Sequence, residues 1–385
     1  MPVALLAGAF GQGNLGDEAL MHAFVKALPE WHLAVTTSDP AATERAGCEA
    51  VPARRPATVA RRALAADAIV LGGGTVFKTL HPSSARRPLA LLANASALVA
   101  AASMAHRPVA MVGVGAAHFD DRRAQALTRF VVRHGDLLIL RDDESAAEMA
   151  RAGAPGPFRV GADPAWTLLD PPCESRAAPE HSVRVVPSAL ATGTDGWPGM
   201  IDRVTDTVRR LTSSGVTVQL QAWQRAVDPT IRDDVAIVDA LVSRLGSSVE
   251  VVPIPQTLRG AVESMVGVGA VLASRFHALI AASAAGVPSV AVTHEPKLAA
   301  LARRLEQRTA PVDADPAVLA AEVRMALRGS GPAPAAIKEQ IERAEEGFRL
   351  LRVLLTGGRS DEADSLGALP LAPSLPTLMP PRRPA

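Results

Sequence analysis

The sequence contains no tyrosine, and phenylalanine and tryptophan together make up only 3% of its 385 residues. Few aromatic platforms are therefore on offer for stacking on a sugar ring or a base. Cysteine is nearly absent: Cys48 and Cys173 lie far apart and form no CxxC or Cys/His pattern. That excludes a disulfide framework and a structural zinc site, and it fits a reducing cytoplasm. Lysine occurs only at positions 26, 78, 297 and 338, so almost all positive charge is arginine. A formal net charge of +1 leaves no long-range field to attract nucleic acid or an anionic membrane, and any basic cluster must act locally. The opening "MPVALLAGAF" has no basic region ahead of its apolar run and reads as a buried first strand rather than a signal peptide. The most apolar stretch, "LALLANASALVAAASMA" from Leu89, is alanine-rich and interrupted by Asn94, Ser96 and Ser103; it predicts a buried helix rather than a membrane span.

What is present is alternation. In the first half, "VALLAG", "LAVTTS", "AIVLGGG", "VAMVGVG", "LLILRD" and "FRVGADPA" read as strands separated by helical patterns. Each ends in glycine or polar residues, where open α/β sheets place their sites. After the Pro- and charge-rich "DPPCESRAAPEH", the pattern restarts with "VRVVPSA", "VTVQLQAW", "VEVVPI", "AVLAS" and "SVAVTH". The expectation is an α/β chain of two Rossmann-like, doubly wound domains facing a cleft. Residues 1–169 form the first domain, on the acceptor side, and 170–181 the linker. Residues 182–356 form the second domain, on the anion side, including a terminal helix that packs across both. A Pro- and Ser-rich tail, 357–385, is expected to be disordered.

Gly11, Gly13 and Gly16 follow the first strand with the spacing of a dinucleotide loop, and Asp39 is placed to meet a ribose. Asp17 and Glu18 oppose that reading, because acids in the first helical turn already satisfy the dipole that a pyrophosphate needs. The loop instead suits a hydroxyl-rich ligand, held by Gly13, Asn14 and Asp17; a tight turn with ordinary acidic capping explains the glycines equally well. Gly72, Gly73 and Gly74 end another strand and lean towards ligand approach, whereas Gly113 and Gly115 fit ligand approach or helix packing equally.

Cations at the starts of helices are the stronger signal. Arg141 ends a strand, with Asp142 or Asp143 available to cap the next helix. In "LASRFHALI", Ser274, Arg275 and His277 converge with free backbone N–H groups, and Lys297 in "THEPKLAAL" repeats the arrangement behind Pro296. Positive groups there oppose the helix dipole unless an anion is bound. One small polyanion held by Arg141, Arg275, His277 and Lys297 is the economical reading; surface pairing of Arg141 with its neighbouring acids, and a core histidine, are the plainer ones.

These residues resemble the polysaccharide pyruvyl transferase family, on the ordered set "GNLGDEA" at Gly13, "GGGT" at Gly72, "RDDES" at Arg141, "DPAW" at Asp163, "SRFHALIAA" at Ser274 and "EPK" at Glu295. Phe276 and His294 depart from the residues often found there. The resemblance implies a two-domain fold similar to GT-B glycosyltransferases and a reaction that moves the enolpyruvyl group of phosphoenolpyruvate onto a sugar as a cyclic ketal. It implies that Arg141, Arg275, His277 and Lys297 hold the donor's phosphate and carboxylate, with His277 as the acid. Asp17 or Glu18 is placed to orient or deprotonate the sugar hydroxyls. Phosphoenolpyruvate is then the donor substrate, with no separate cofactor and no metal. The acceptor sugar is free, nucleotide-linked or lipid-linked, and a lipid-linked one would bring the chain to the inner membrane face. The alternative is a nucleotide-sugar glycosyltransferase in which Arg275 and Lys297 grip a diphosphate and Glu295 a ribose. An oxidoreductase using the first glycine loop and a non-catalytic sugar-binding relative are further rivals.

Overall fold

The computed structural model describes residues 1–80, 87–117, 121–170, 181–228, 233–357 and the pair 371–372. Two sheets organise them. The first contains β1 (Val3–Phe10), β2 (His32–Thr37), β3 (Glu49–Pro52), β4 (Ala68–Gly72), β5 (Thr75–Phe77), β6 (Val109–Ala116), β7 (Leu137–Leu140) and β8 (Phe158–Val160). Its order is β3-β2-β1-β4-β6-β7-β8, all parallel, with the short β5 pairing β6 at one end. The second contains β9 (Ser182–Val186), β10 (Thr217–Gln221), β11 (Glu250–Val252), β12 (Ala270–Ala273), β13 (Ser289–Thr293) and β14 (Arg308–Pro311). Its parallel order, β11-β10-β9-β12-β13-β14, is the doubly wound order with a switch point between β9 and β12. The two Rossmann-like units expected from periodicity are both present.

The strands that patterning picks out are those buried on both faces, such as β4 "AIVLG" and β9 "SVRVV". Those it misses lie at edges or over loops. β3 "EAVP" and β14 "RTAP" are four-residue edge strands carrying charge and proline, and β5 is a three-residue pairing directly after a glycine run. The linker at 170–181 falls largely outside the described residues, as do Cys173 and most of the tail. Leu371–Ala372, placed in a disordered tail by composition, instead pair antiparallel with β8.

The alanine-rich segment after Leu89 forms the helix Ala90–Met104, with Leu92, Leu98 and Val99 buried against the first sheet. No helix among the described residues is long and apolar enough to cross a membrane. The units do not merely face one another. A single apolar cluster runs from Leu15, Leu20 and Phe24 on the helix Leu15–Ala27, through Trp166, to Phe276 and Leu279 on the helix Phe276–Ala284. The terminal helix Pro334–Leu355, expected to pack across both units, lies against β6, β7 and the turn Pro164–Leu168, and its Ile337 and Ile341 join the apolar cluster that both units share. The Phe348 ring meets Phe24 edge-on at 5.0 Å, and Gly347 lies over Val112 and Ile139. Its apolar face fits β6 and β7, so the chain returns to the unit where it began.

Phe348→Ala is expected to lower stability by about 3–5 kcal/mol, the cost of deleting a fully buried aromatic ring. Thermal or urea unfolding reads this directly, and an unchanged midpoint would show that the terminal helix contributes little to the first unit's core.

Candidate active site at the junction of the two sheets

The first turn of the helix Leu15–Ala27 is fixed from both sides. Asn14 caps it: its side-chain oxygen accepts the Gly16 N–H at 3.1 Å, and its amide donates to Asp17 at 2.8 Å. The backbone on either side of Asn14 pairs with the second unit, Leu15 N–H donating to the Trp223 carbonyl and Arg225 N–H to the Gly13 carbonyl, both at 3.1 Å. A Cβ on Gly13 would stand 1.9 Å from the Arg225 carbonyl oxygen. Gly13 and Asn14, expected to meet a hydroxyl-rich ligand, are therefore consumed in joining the two units. Asp39, expected to meet a ribose, caps the next helix by accepting the Ala42 N–H at 3.0 Å.

The two adjacent acids of this turn separate. Glu18 turns back to accept the Gly11 N–H at 2.8 Å. Burial pushes its carboxyl up to about 7, and Asp17 and Asp39 add to the rise against the Gly11 bond. Asp17 turns the other way, into the junction, where Gly74 leaves room beside its carboxylate. Burial holds the Asp17 carboxyl above the ordinary range even though His277, Lys297 and Arg275 pull it down. Gly73, at φ +76°, serves packing instead: a Cβ there would strike Leu20.

His277 lies in the first turn of the helix Phe276–Ala284, and this turn abuts the first turn of Leu15–Ala27. A Cβ on Gly16 would lie 2.0 Å from His277 Nδ1. On its other edge, Nε2 is 3.4 Å from Asp163, a contact too long for a good hydrogen bond. Asp163 follows β8 and is 1% exposed; its second oxygen is 3.6 Å from Arg141. Burial alone would raise the Asp163 carboxyl, but His277 and Arg141 outweigh it and hold the carboxyl below its usual range. Arg141, 4% exposed at the end of β7, also donates to Asp142 at 3.1 Å and lies against the Phe276 ring at 4.6 Å. Its guanidinium fills the space a Gly115 side chain would take. The ion pairing that the sequence allows at the surface thus exists, but in the interior.

Arg275 is not a free cation either. It is clamped on Asp234, which is fully buried, with Nε at 2.9 Å, and a second nitrogen donates to Gln224 at 2.6 Å. Asp234 also accepts the N–H groups of Ala189 and Trp223. A guanidinium inside a protein needs such a partner, since an unpaired buried charge costs several kcal/mol. Ser274 lines a cavity of about 30 Å³ in the second unit with Arg203 and Thr207, a lining that includes none of Arg141, Arg275, His277 and Lys297. Lys297 contacts Glu295, and Lys78 approaches the same carboxylate at 3.9 Å. Burial lowers the Lys297 pKa, and Glu295 only partly restores it. Burial also takes His294 down to about 4, so it is neutral near pH 7 and adds no charge.

The structure thus gathers Asp17, Arg141, His277 and Lys297, with Gly74 beside them, and sets Arg275 behind them. It adds Asp163, Asp234 and Lys78, which sequence reasoning did not place. Asp163 stands in the quoted "DPAW", a buried acid after a strand; Lys78 was visible only as one of four lysines; Asp234 gave no signal, because its partner is 41 residues away. Polar atoms in this region, among them Thr75 Oγ1, Asp163 Oδ2, His277 Nε2 and His294 Nδ1, are buried with no hydrogen-bond partner. Among the described residues, no group of three or more His, Cys, Asp or Glu side chains is placed to hold a metal ion.

The model of the polysaccharide pyruvyl transferase family matches residues 14–296, from the Asn14 cap to the helix start beside Lys297. The chain belongs to this family. No curated protein matches it. Among solved structures it is similar to HepE from Anabaena in complex with UDP and glucose, at 13% identity and TM-score 0.58, covering 95% of this chain and 99% of that one. It is also similar to the UDP-GlcNAc 2-epimerase of Methanocaldococcus jannaschii in complex with UDP-GlcNAc and UDP, at 12% identity and TM-score 0.58, over 93% and 100% of the two chains. MnaA of S. aureus with UDP resembles it at 11% identity and TM-score 0.59, over 92% and 97%. These likenesses establish the GT-B-like architecture of this pyruvyl transferase family member.

Two outcomes follow from the geometry. Gly16→Ala gains a little helix propensity but forces the buried His277 ring aside, an overpacking cost of about 1–3 kcal/mol; activity is expected to fall about a hundredfold, with a melting temperature lowered by only a few degrees. For Glu18, the native carboxyl keeps its proton up to about 7 while the unfolded chain releases it near 4.5, so stability is lost as pH rises through that window. Glu18→Gln keeps the acceptor for Gly11 and cannot ionise. Its melting temperature is expected to decline less than the wild type's between about pH 5 and 8; parallel curves would contradict the raised value.

Proposed function

We propose that the chain transfers the enolpyruvyl group of phosphoenolpyruvate to a sugar of a polysaccharide or glycolipid precursor, forming a cyclic pyruvate ketal and releasing phosphate. The observation that carries this reading is the convergence of Arg141, His277 and Lys297 on one region where Thr75 Oγ1, Asp163 Oδ2 and His277 Nε2 make no hydrogen bond within the protein. A small ligand with about three negative charges suits several fixed cations, and unpaired buried polar atoms are costly unless a ligand satisfies them.

Protonation of the donor's methylene carbon makes C2 electrophilic. His277 is the acid, because it sits between Asp17 and Asp163 and imidazole is the side-chain type suited to delivering a proton near neutral pH. Asp163 is a positioning residue that fixes the imidazole from its Nε2 edge. A sugar hydroxyl attacks C2 and gives up its proton to Asp17, the one of the two neighbouring acids that faces the cations. The C2–O bond to phosphate then breaks, with Lys297 and Arg141 stabilising the departing anion. A second hydroxyl of the same sugar captures C2 and closes the ketal, passing its proton to the His277 base left by the first step, while the released phosphate takes up the proton held by Asp17. Arg275, tied to Asp234, supports this wall rather than supplying an unpaired charge.

The nucleotide-sugar alternative gains no observation of its own from the site: Glu295, the acid it would assign to a ribose, lies beside Lys297 and Lys78. The reading places the chain in the cytoplasm, where phosphoenolpyruvate is available, and a lipid-linked acceptor would bring it to the inner membrane face.

Phosphoenolpyruvate, but not UDP-sugars or NAD, is expected to raise the melting temperature of the wild type, by about 2.7 kcal/mol of added stability at a hundred times its Kd. His277→Ala should retain the fold and most of that shift while losing phosphate release in the presence of acceptor. A wild type indifferent to phosphoenolpyruvate, or a fully active His277→Ala, would sink the assignment.

A further inference from the structure

We propose that Lys78 is a ligand for the donor's anionic end, contributed by the first unit, and that Glu295 occupies the place of that end in the unliganded chain. The inference rests on the phosphoenolpyruvate reading above and adds to it a residue and a state of the site.

Lys78 directly follows β5, the short strand whose Thr75 pairs with Gly115 beside the Arg141 guanidinium. Its ammonium is 3.9 Å from one oxygen of Glu295, and the other oxygen contacts Lys297. Two ammonium groups share this one carboxylate, and the next acid to feel Lys297 is Asp17. Arg141 feels the same carboxylate, so Glu295 stands among three cations drawn from both units. Its own backbone position gives it another task that it does not perform: it is the N-cap residue of the helix Pro296–Arg304, yet its side chain makes no cap hydrogen bond. The carboxylate is turned towards the lysines instead. The Lys78, Lys297 and Glu295 side chains are 26%, 24% and 25% exposed, open enough for a small ligand to reach them.

A phosphate entering here makes the same contacts with more charge, so it displaces Glu295 from the lysines. The donor then bridges Lys78 of the first unit and Lys297 of the second. The competing explanation is a permanent strap, in which Lys78 and Glu295 only tie the units together. The two differ in sign. A strap is weakened by loss of either partner, whereas a placeholder's loss strengthens donor binding.

The experiment is calorimetric titration of phosphoenolpyruvate, and separately of inorganic phosphate, into wild type, Lys78→Met, Lys78→Arg and Glu295→Gln, with the melting temperature of each unliganded protein recorded alongside. Lys78→Met is expected to weaken phosphoenolpyruvate binding about tenfold or more, as the loss of one charge-assisted contact does, and Lys78→Arg to restore most of it. Glu295→Gln is expected to tighten binding severalfold. If wild type binds phosphoenolpyruvate and Lys78→Met binds it equally well, the Lys78 assignment is wrong while the function stands. If Glu295→Gln weakens binding, the strap is correct and the placeholder is not; this sign also decides the matter should Lys78→Met fail to fold. A wild type that binds no phosphoenolpyruvate removes the underlying reading and this inference with it.

Discussion

The site depends on one constraint: charges buried where two helix starts meet must be matched within the protein. The first turns of Leu15–Ala27 and Phe276–Ala284 abut at Gly16 and His277, and both present the positive ends of their dipoles to the same region. Arg141 and Lys297 add full charges there. Left alone, such a collection would be driven out of the interior or neutralised. Asp163, Asp142 and Glu295 answer the cations, Asp17 is held with its carboxyl raised by burial, and Arg275 is paired with Asp234. The result is a site whose cations are already held in place before any ligand arrives.

That arrangement also explains why the glycines stand where they do. Gly16 admits the His277 ring, Gly115 the Arg141 guanidinium and Gly13 the backbone of Arg225. Each removes a side chain so that a group from another part of the fold can come closer than a Cβ permits. The loop spacing of a dinucleotide site is therefore reused to dock one unit on the other. The same docking extends downward as a shared apolar core through Trp166, so the two units hold the charged layer at a fixed separation.

Much of the site was legible in the chain itself. Arg141, His277 and Lys297 stand out because a cation at a strand end or a helix start works against the local dipole, and such placement asks for an anion. Asp17 was visible as an acid in a first turn, but not its separation from Glu18: the direction a side chain takes within one turn is set by what packs against it. Asp163, Asp234 and Lys78 were not legible as participants. Their partners come from distant segments, Asp163 meeting His277 and Arg141, Asp234 meeting Arg275, and Lys78 meeting Glu295.

The sequence by itself determined the alternation of strands and helices, because periodicity and β-branched runs act locally; hence the two doubly wound sheets and the carboxyl-end placement of the charged residues. It could not determine the edge strands β3 and β14, whose short polar segments are held by a neighbour rather than by their own pattern. Nor did it determine that Pro334–Leu355 returns to the first sheet, since an amphipathic helix carries the demand for an apolar partner without naming it. Only the tertiary structure decided which anion each cation meets. Pairing in the interior depends on distance between segments remote in sequence, and a buried charge takes whichever opposite charge the packing brings within reach.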